Sequence, residues 1–160
     1  FNVATKGELT NEAAQDFMNY IMSEEGQAIV AEDYIPVSGV EPFESNGATG
    51  SVTVSGSSSV SPLMQKLIEG YNTVNPDVSI ELQTNDSTTG MTNTIDGMCD
   101  IGMASRELKQ EELDAGLVNT VIATDGIAII VNNESPITDL TTEQVRDIYL
   151  GNITDWSEIG

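Results

Sequence analysis

Three short stretches of the chain set hydroxyl groups where turns lead into regular structure. They are Ser57, Ser58 and Ser59 in SGSSSVSPL, Asp86, Ser87 and Thr88 in NDSTTG, and Ser105 followed by Arg106 in ASREL. Hydroxyls at a helix start, joined by the unpaired first-turn N–H groups and the positive end of the helix dipole, can surround a tetrahedral oxyanion with neutral donors. Pro62 suits the first helical position, with Ser61 as the cap before it. A serine run alone is a solvated turn with a cap, and a lone arginine among many acids simply pairs with one of them. The three stretches gain chemical meaning only if the fold brings them together.

The elements implied by the pattern would do so. SVTVS reads as a strand, residues 62 to 75 as a helix, VSIELQ as a strand, 89 to 97 as a short helix and DIGMA as a strand, a βαβαβ order. Right-handed crossovers then open the loops after successive parallel strands at one edge of the sheet. Upstream, ELTNEAAQDFMNYIMSEEGQAIVAEDYIPV predicts two helices, with Thr10 as N-cap and Gly26 as the break between them. Residues 38–50, SGVEPFESNGATG, have no usable period and read as a linker. Farther on, GIAIIVNN predicts a buried strand. TTEQVRDIYLG predicts a helix with Thr141 and Gln144 in a capping box and Gly151 at its end. The expected class is α/β, a mostly parallel sheet flanked by helices on both faces.

Other chemistries find little support. The 160 residues carry 26 acidic and 5 basic side chains, a net charge of −21, which opposes nucleic acid and anionic membranes as partners. With no histidine and one cysteine, Cys99, the commonest zinc ligands, a Cys/His nucleophile pair and an intrachain disulfide are excluded. No cofactor or metal is expected. Carboxylate pairs are unavoidable in so acidic a chain and say nothing about acid/base catalysis. DGMCDIG has the spacing of neither a Walker loop nor a dinucleotide fingerprint. A serine hydrolase would need Lys66 or a carboxylate as base, and Lys66 lies well past the loop. Cys99 reads as a small buried residue, and Tyr149 and Trp156 as core or lid-packing aromatics. No apolar run is long enough to span a bilayer, and FNVATKG lacks the form of a signal peptide, so an export signal is expected outside the sequence.

The stretches VTVSGSSSVSPLMQKLIEGY, NDSTTGMTNTIDGMCDIGMASREL and TTEQVRDIYLGNITDWSEIG together resemble the phosphate-binding component of bacterial phosphate ABC transporters, a two-lobed type 2 periplasmic or lipid-anchored binding protein. The resemblance covers residues 51–160 as the N-terminal-type, phosphate-binding lobe, with DIYLGNITDW its most specific piece. Residues 1–37 resemble the end of the same family, the C-terminal-type helical segment that completes this lobe, so the order is circularly permuted and 38–50 joins old end to old beginning. The family's middle, its second lobe, is missing. A fragment of a tandem binding protein or a designed single lobe would both account for the order, and the acidic linker favours the first.

The resemblance implies capture of inorganic phosphate for import without catalysis, outside the cytoplasm, with an ABC transporter permease and the missing lobe as partners. It places ligand contacts on Ser58 and Ser59, through hydroxyl and N–H, and on Ser87, beside the wider set Ser57, Thr88, Ser105 and Arg106. Many family members carry an aspartate where Ser105 stands, a carboxylate that accepts the proton of monohydrogen phosphate and so rejects sulfate. With Ser105 and Arg106, a bidentate charge-assisted bond would hold the anion instead, and a sensing domain that binds sulfate or another small oxyanion is the alternative. A linker of this length permits residues 1–37 to fold back onto their own chain or to exchange with a neighbouring one.

Overall fold

The computed structural model describes residues 1–159. They fall into two compact units, Phe1–Gly126 and a smaller one from Ile127 onward. In chain order the first unit contains β1 (Asn2–Lys6), α1 (Glu12–Ile21), α2 (Glu24–Val30), β2 (Ile35–Pro36), β3 (Gly50–Ser57), α3 (Ser61–Val74), β4 (Val78–Asn85), α4 (Ser87–Ile95), β5 (Ile101–Ala104), α5 (Gln110–Asp114), β6 (Leu117–Val121) and β7 (Ala123–Thr124). The second contains α6 (Thr142–Leu150) and a 3₁₀ turn at Trp156–Glu158.

Five strands form one sheet in the order β4-β3-β5-β1-β6, and β2 pairs with β7 apart from it. β3 runs parallel to both β4 and β5, as the βαβαβ pattern requires. β1 is the exception: it lies antiparallel between β5 and β6. No element was expected over residues 2–6. The strand is buried on both faces, which removes the in/out alternation that marks a strand, and its Asn2 and Thr5 dilute the apolar signal. β1 therefore fills an interior position of the five-stranded sheet.

Successive strand residues point to opposite faces, and the core divides accordingly. Val3, Val54 and Met103 face α1, α2 and α3 with Phe17, Ile21, Leu67 and Tyr71, whereas Ala4 and Ala104 face α4 with Met91 and Leu117. Each large apolar side chain so buried stabilises the fold by about 1.5–3 kcal/mol. On the α4 face the approach is unusually close: a Cβ at Gly90 would stand 2.6 Å from the Cα of Gly56, itself at φ +140°. Helix and sheet meet there backbone to backbone, which seats the start of α4 over the strand ends.

The two upstream helices form as expected, with different punctuation. Asn11, not Thr10, caps α1, its side chain accepting from the amides of Ala13 and Ala14. The break falls at Met22 and Ser23, and Ser23 caps α2. Gly26 lies inside α2, where an added Cβ would meet the Tyr20 carbonyl at 2.1 Å; the glycine permits close packing and does not end a helix. Residues 38–49 have no regular structure but are pinned. The Phe43 amide donates to Glu25 (2.7 Å), the Asn46 amide to Asp16 (2.7 Å), and the Phe43 ring meets Tyr20 edge-on. Asp16 is fully buried and also accepts from Tyr71 Oη (2.7 Å), Asn75 Nδ2 (3.1 Å) and Ser45 Oγ (2.9 Å). Burial pushes its carboxyl up, but these donors together outweigh that and hold it below its ordinary value.

In the second unit α6 has the expected capping box, Thr141 with Gln144, and ends at Gly151 in the left-handed conformation (φ 76°). Two expectations fail there. Residues 126–133 are not a buried strand: among the described residues they have no ladder partner, and Ile127 and Ile130 are 95% and 90% exposed. Tyr149 and Trp156 are not core residues either, being 88% and 48% exposed. An apolar run becomes a buried strand only when another strand and a covering layer are present.

Candidate functional site

β3, β4 and β5 are mutually parallel through β3, so their C-terminal ends share one edge. The register sets Ser57 opposite Asn85. At that edge the Ser58 amide donates to the Asn85 carbonyl (2.8 Å), and Ser61 Oγ lies 2.9 Å from Thr84 Oγ1, tying the first loop to the second. The second and third loops touch directly: the Ser105 amide donates to Ser87 Oγ (3.1 Å), and Arg106 Nη2 to Thr88 Oγ1 (3.3 Å). All three hydroxyl-bearing stretches thus meet in one hydrogen-bonded web. Ser58, Ser59 and Ser105 are exposed there, while Ser57, the last residue of β3, is buried and its carbonyl accepts from Val60 and Ser61.

The two helix starts are not equivalent. At α4 the Asp86 carboxylate accepts from the amides of Thr88 and Thr89 and from the Thr89 hydroxyl. Those bonds, the Thr89 hydroxyl first, hold Asp86 below the ordinary carboxylate range. The anion position at this end is therefore filled by the chain's own charge. α3 begins differently. Ser61 is its first residue instead of its cap, and the helix has Val60 at the cap position, a proline in its first turn and no side-chain cap. Its positive end stays open beside Ser58 and Ser59.

Arg106 is already engaged. Its Nη1 and Nη2 reach Glu112 Oε2 and Oε1 at 2.9 and 2.7 Å, a forked pair with a carboxylate that is almost wholly buried. The bond to Arg106 holds Glu112 below its ordinary value and raises the guanidinium in turn. Glu112 also accepts from the Lys109 amide (2.7 Å) at the start of α5. From β1, Asn2 Nδ2 donates to the Arg106 carbonyl (2.9 Å). Glu112 and Asn2 escaped sequence reasoning. One is an ordinary acid among many, and the other sits on the strand without a pattern.

Further candidates are accounted for structurally. Lys66 pairs with Asp33 (2.8 Å) and Glu32 (2.9 Å), bonds that raise its pKa and keep it a cation, unsuited to act as a base. Cys99 is buried, its Sγ 3.4 Å from Thr94 Oγ1, and burial raises the thiol. Among the described residues no group of three or more acidic or cysteine side chains is placed to hold a metal ion. Among the described residues no helix is long and apolar enough to cross a membrane.

Residues 42–160 match the model of a family described as a PBP superfamily domain. The chain is 48% identical over 160 residues to phosphate-binding protein PstS 2 of Streptococcus agalactiae serotype V, a match covering 99% of this chain and 55% of that protein. To the protein of the same name from Streptococcus pneumoniae serotype 4 it is 37% identical, with the same shares covered. A crystal structure of a phosphate-binding protein of a phosphate ABC transporter from Streptococcus pneumoniae TIGR4 superposes with a TM-score of 0.90 at 36% identity, over 100% of this chain and 62% of that one. A putative phosphate ABC transporter substrate-binding protein from Clostridium perfringens, solved with bound phosphate, is 50% identical with a TM-score of 0.54, over 69% of this chain and 45% of that one. The chain spans about half the length of the curated relatives it matches.

Proposed function

This chain belongs to the PBP superfamily, and from that premise we propose that it is part of a solute-binding protein that captures inorganic phosphate for import by an ABC transporter. The identity to proteins named for phosphate binding supports the ligand class. The observation that carries the site is the web joining Ser58, Ser87, Thr88, Ser105 and Arg106 at one sheet edge, next to the uncapped start of α3.

In this reading the Ser59 amide, the hydroxyls of Ser58, Ser59 and Ser87, and the first turn of α3 provide the neutral donors, and Thr88 and Ser105 line the cradle. Ser57 supports the loop from below. Arg106 has its four Nη–H groups engaged by Glu112, the Glu107 carbonyl and Thr88, so it contributes a partly offset positive charge and, at most, its Nε–H or an Nη–H given up by Thr88. The anion is held by hydrogen bonds and the helix dipole more than by net charge. No bond is made or broken; binding is the whole activity. The protein works outside the cytoplasm and passes its ligand to a permease. Because the matches take in 99% of the chain, they include residues 38–50, which favours a segment order native to these relatives over a junction between tandem copies.

The chain provides only one side of a coordination shell whose other side comes from the part of the protein it does not include. Calorimetry with inorganic phosphate should therefore show binding no tighter than about 1 mM, some 4 kcal/mol. Submicromolar binding by the 160 residues alone would refute the half-site, and preference for sulfate over phosphate would move the function to another oxyanion.

A further inference from the structure

Beneath the serine-bearing loops lies a buried hydroxyl that none of the proposed ligand contacts uses. Ser55 belongs to the wholly buried end of β3 and is itself inaccessible to solvent. Its Oγ accepts from two carboxamides, Asn85 Nδ2 at 3.1 Å and Asn93 Nδ2 at 3.0 Å, which fills both of its acceptor positions. Asn85 ends β4, and its carbonyl holds the Ser58 amide at 2.8 Å. One residue therefore ties the first loop through its main chain and the strand interior through its side chain. Asn93 lies on α4, whose first residue is Ser87. Earlier on that helix Gly90 stands against β3, where an added Cβ would meet the Ser55 carbonyl at 2.9 Å. Backbone contact thus sets how near α4 comes to the sheet, and the Asn93–Ser55 bond limits how far it slides or turns. Asn85 is exposed and Asn93 half-buried, so both carboxamides would find water without Ser55, and the net stability these bonds add is small. What they fix is position.

We propose that Ser55, Asn85 and Asn93 are positioning residues of the anion site, a hub that fixes the spacing between the Ser58–Ser59 turn and the Ser87 start of α4. The inference deepens the proposed function and rests on it. An anion held by neutral donors from two loops gains from both only if they already stand at the right separation; ordering them at the moment of binding costs affinity that preorganisation saves. Asn93 separates this role from direct contact. It lies about 9 Å along the helix axis from Ser87, too far to touch an anion at the helix start.

The test compares the ¹⁵N-labelled chain with its Ser55→Ala, Asn85→Ala and Asn93→Ala variants by amide spectra. In the wild type, the Ser59 and Ser87 amides should report one common dissociation constant for inorganic phosphate. In each variant that constant should rise about threefold, and the values read at Ser59 and Ser87 should diverge as the two loops come uncoupled. Without ligand, the Ser58 amide should exchange about tenfold faster in Ser55→Ala and Asn85→Ala. Ser55→Ala combined with Asn93→Ala should weaken binding no more than Ser55→Ala alone, because the second change removes a link already lost. Wild-type affinity in Ser55→Ala and Asn93→Ala, or wild-type exchange of Ser58 in Asn85→Ala, would overturn the inference. So would an affinity loss accompanied by displaced amide shifts in β1 and β6, at the far end of the sheet, since the three residues would then be general support of the core. Absence of any phosphate response at Ser59 and Ser87 in the wild type would overturn the proposed function instead. The exchange of Ser58 is read without phosphate and decides the positional link by itself, so the two failures stay distinct.

Discussion

In the proposed anion site, Asp86 and Glu112 would limit how much positive potential reaches the serine cluster. Each carboxylate takes up donors that an incoming anion would otherwise meet: the first amides of α4 in one case, the guanidinium fork of Arg106 in the other. What remains is the Ser58–Ser59 turn and the open end of α3. Ser58→Ala should then weaken phosphate binding by about 1 kcal/mol, the cost of one hydroxyl donor. Ser59→Pro should weaken it more, because it deletes an amide and distorts the turn; equal losses in titration would contradict this division. Asp86→Asn keeps a competent cap and removes a negative charge from the site, so it should tighten phosphate binding, and an unchanged or weaker constant would count against the account. The meeting of the serine-bearing loops at one sheet edge was legible because the βαβαβ pattern requires it, although each run alone reads as an ordinary capped turn. The Asp86 cap and the Arg106–Glu112 fork were not, since which acid folds back on which donor depends on the turn leading into α5 and on β1 behind it.

Among the elements, α1, α3 and the pinned segment 38–49 share one buried anchor. Asp16 binds Ser45 and Asn46 of the segment together with Tyr71 and Asn75 of α3 and its following turn. Its carboxyl is held below its unfolded value of 3.8, so the stabilisation is fully present above that value and is lost as pH falls through the lower folded one. Thermal unfolding should show the melting temperature dropping below about pH 4, with a shallower dependence and a lower plateau near neutrality for Asp16→Asn. A mutant curve parallel to wild type would remove Asp16 as the anchor. The same elements show where periodicity informs. α1, α3 and β4 each bury one side and leave the other partly exposed, and their spacing is readable. β1, enclosed between two strands and two layers, has no contrast to read. Residues 127–131 carry the pattern of a buried strand but are unpaired and exposed among the described residues.

At the scale of the whole molecule, a protein of net charge −21 is assigned an anionic ligand. The two are compatible because exposed charges beyond roughly 8 Å are screened at physiological salt, whereas N–H groups at a helix start act at contact distance. The account therefore depends on local donors at one edge of the sheet. The most direct test is a titration of the uniformly ¹⁵N-labelled chain with inorganic phosphate, followed by amide chemical shifts. The account predicts saturable shifts concentrated at Ser58, Ser59, Ser61, Ser87 and Ser105, with a dissociation constant of about 1 mM or weaker. Shifts spread evenly over the surface, or confined to residues away from that edge, would contradict it.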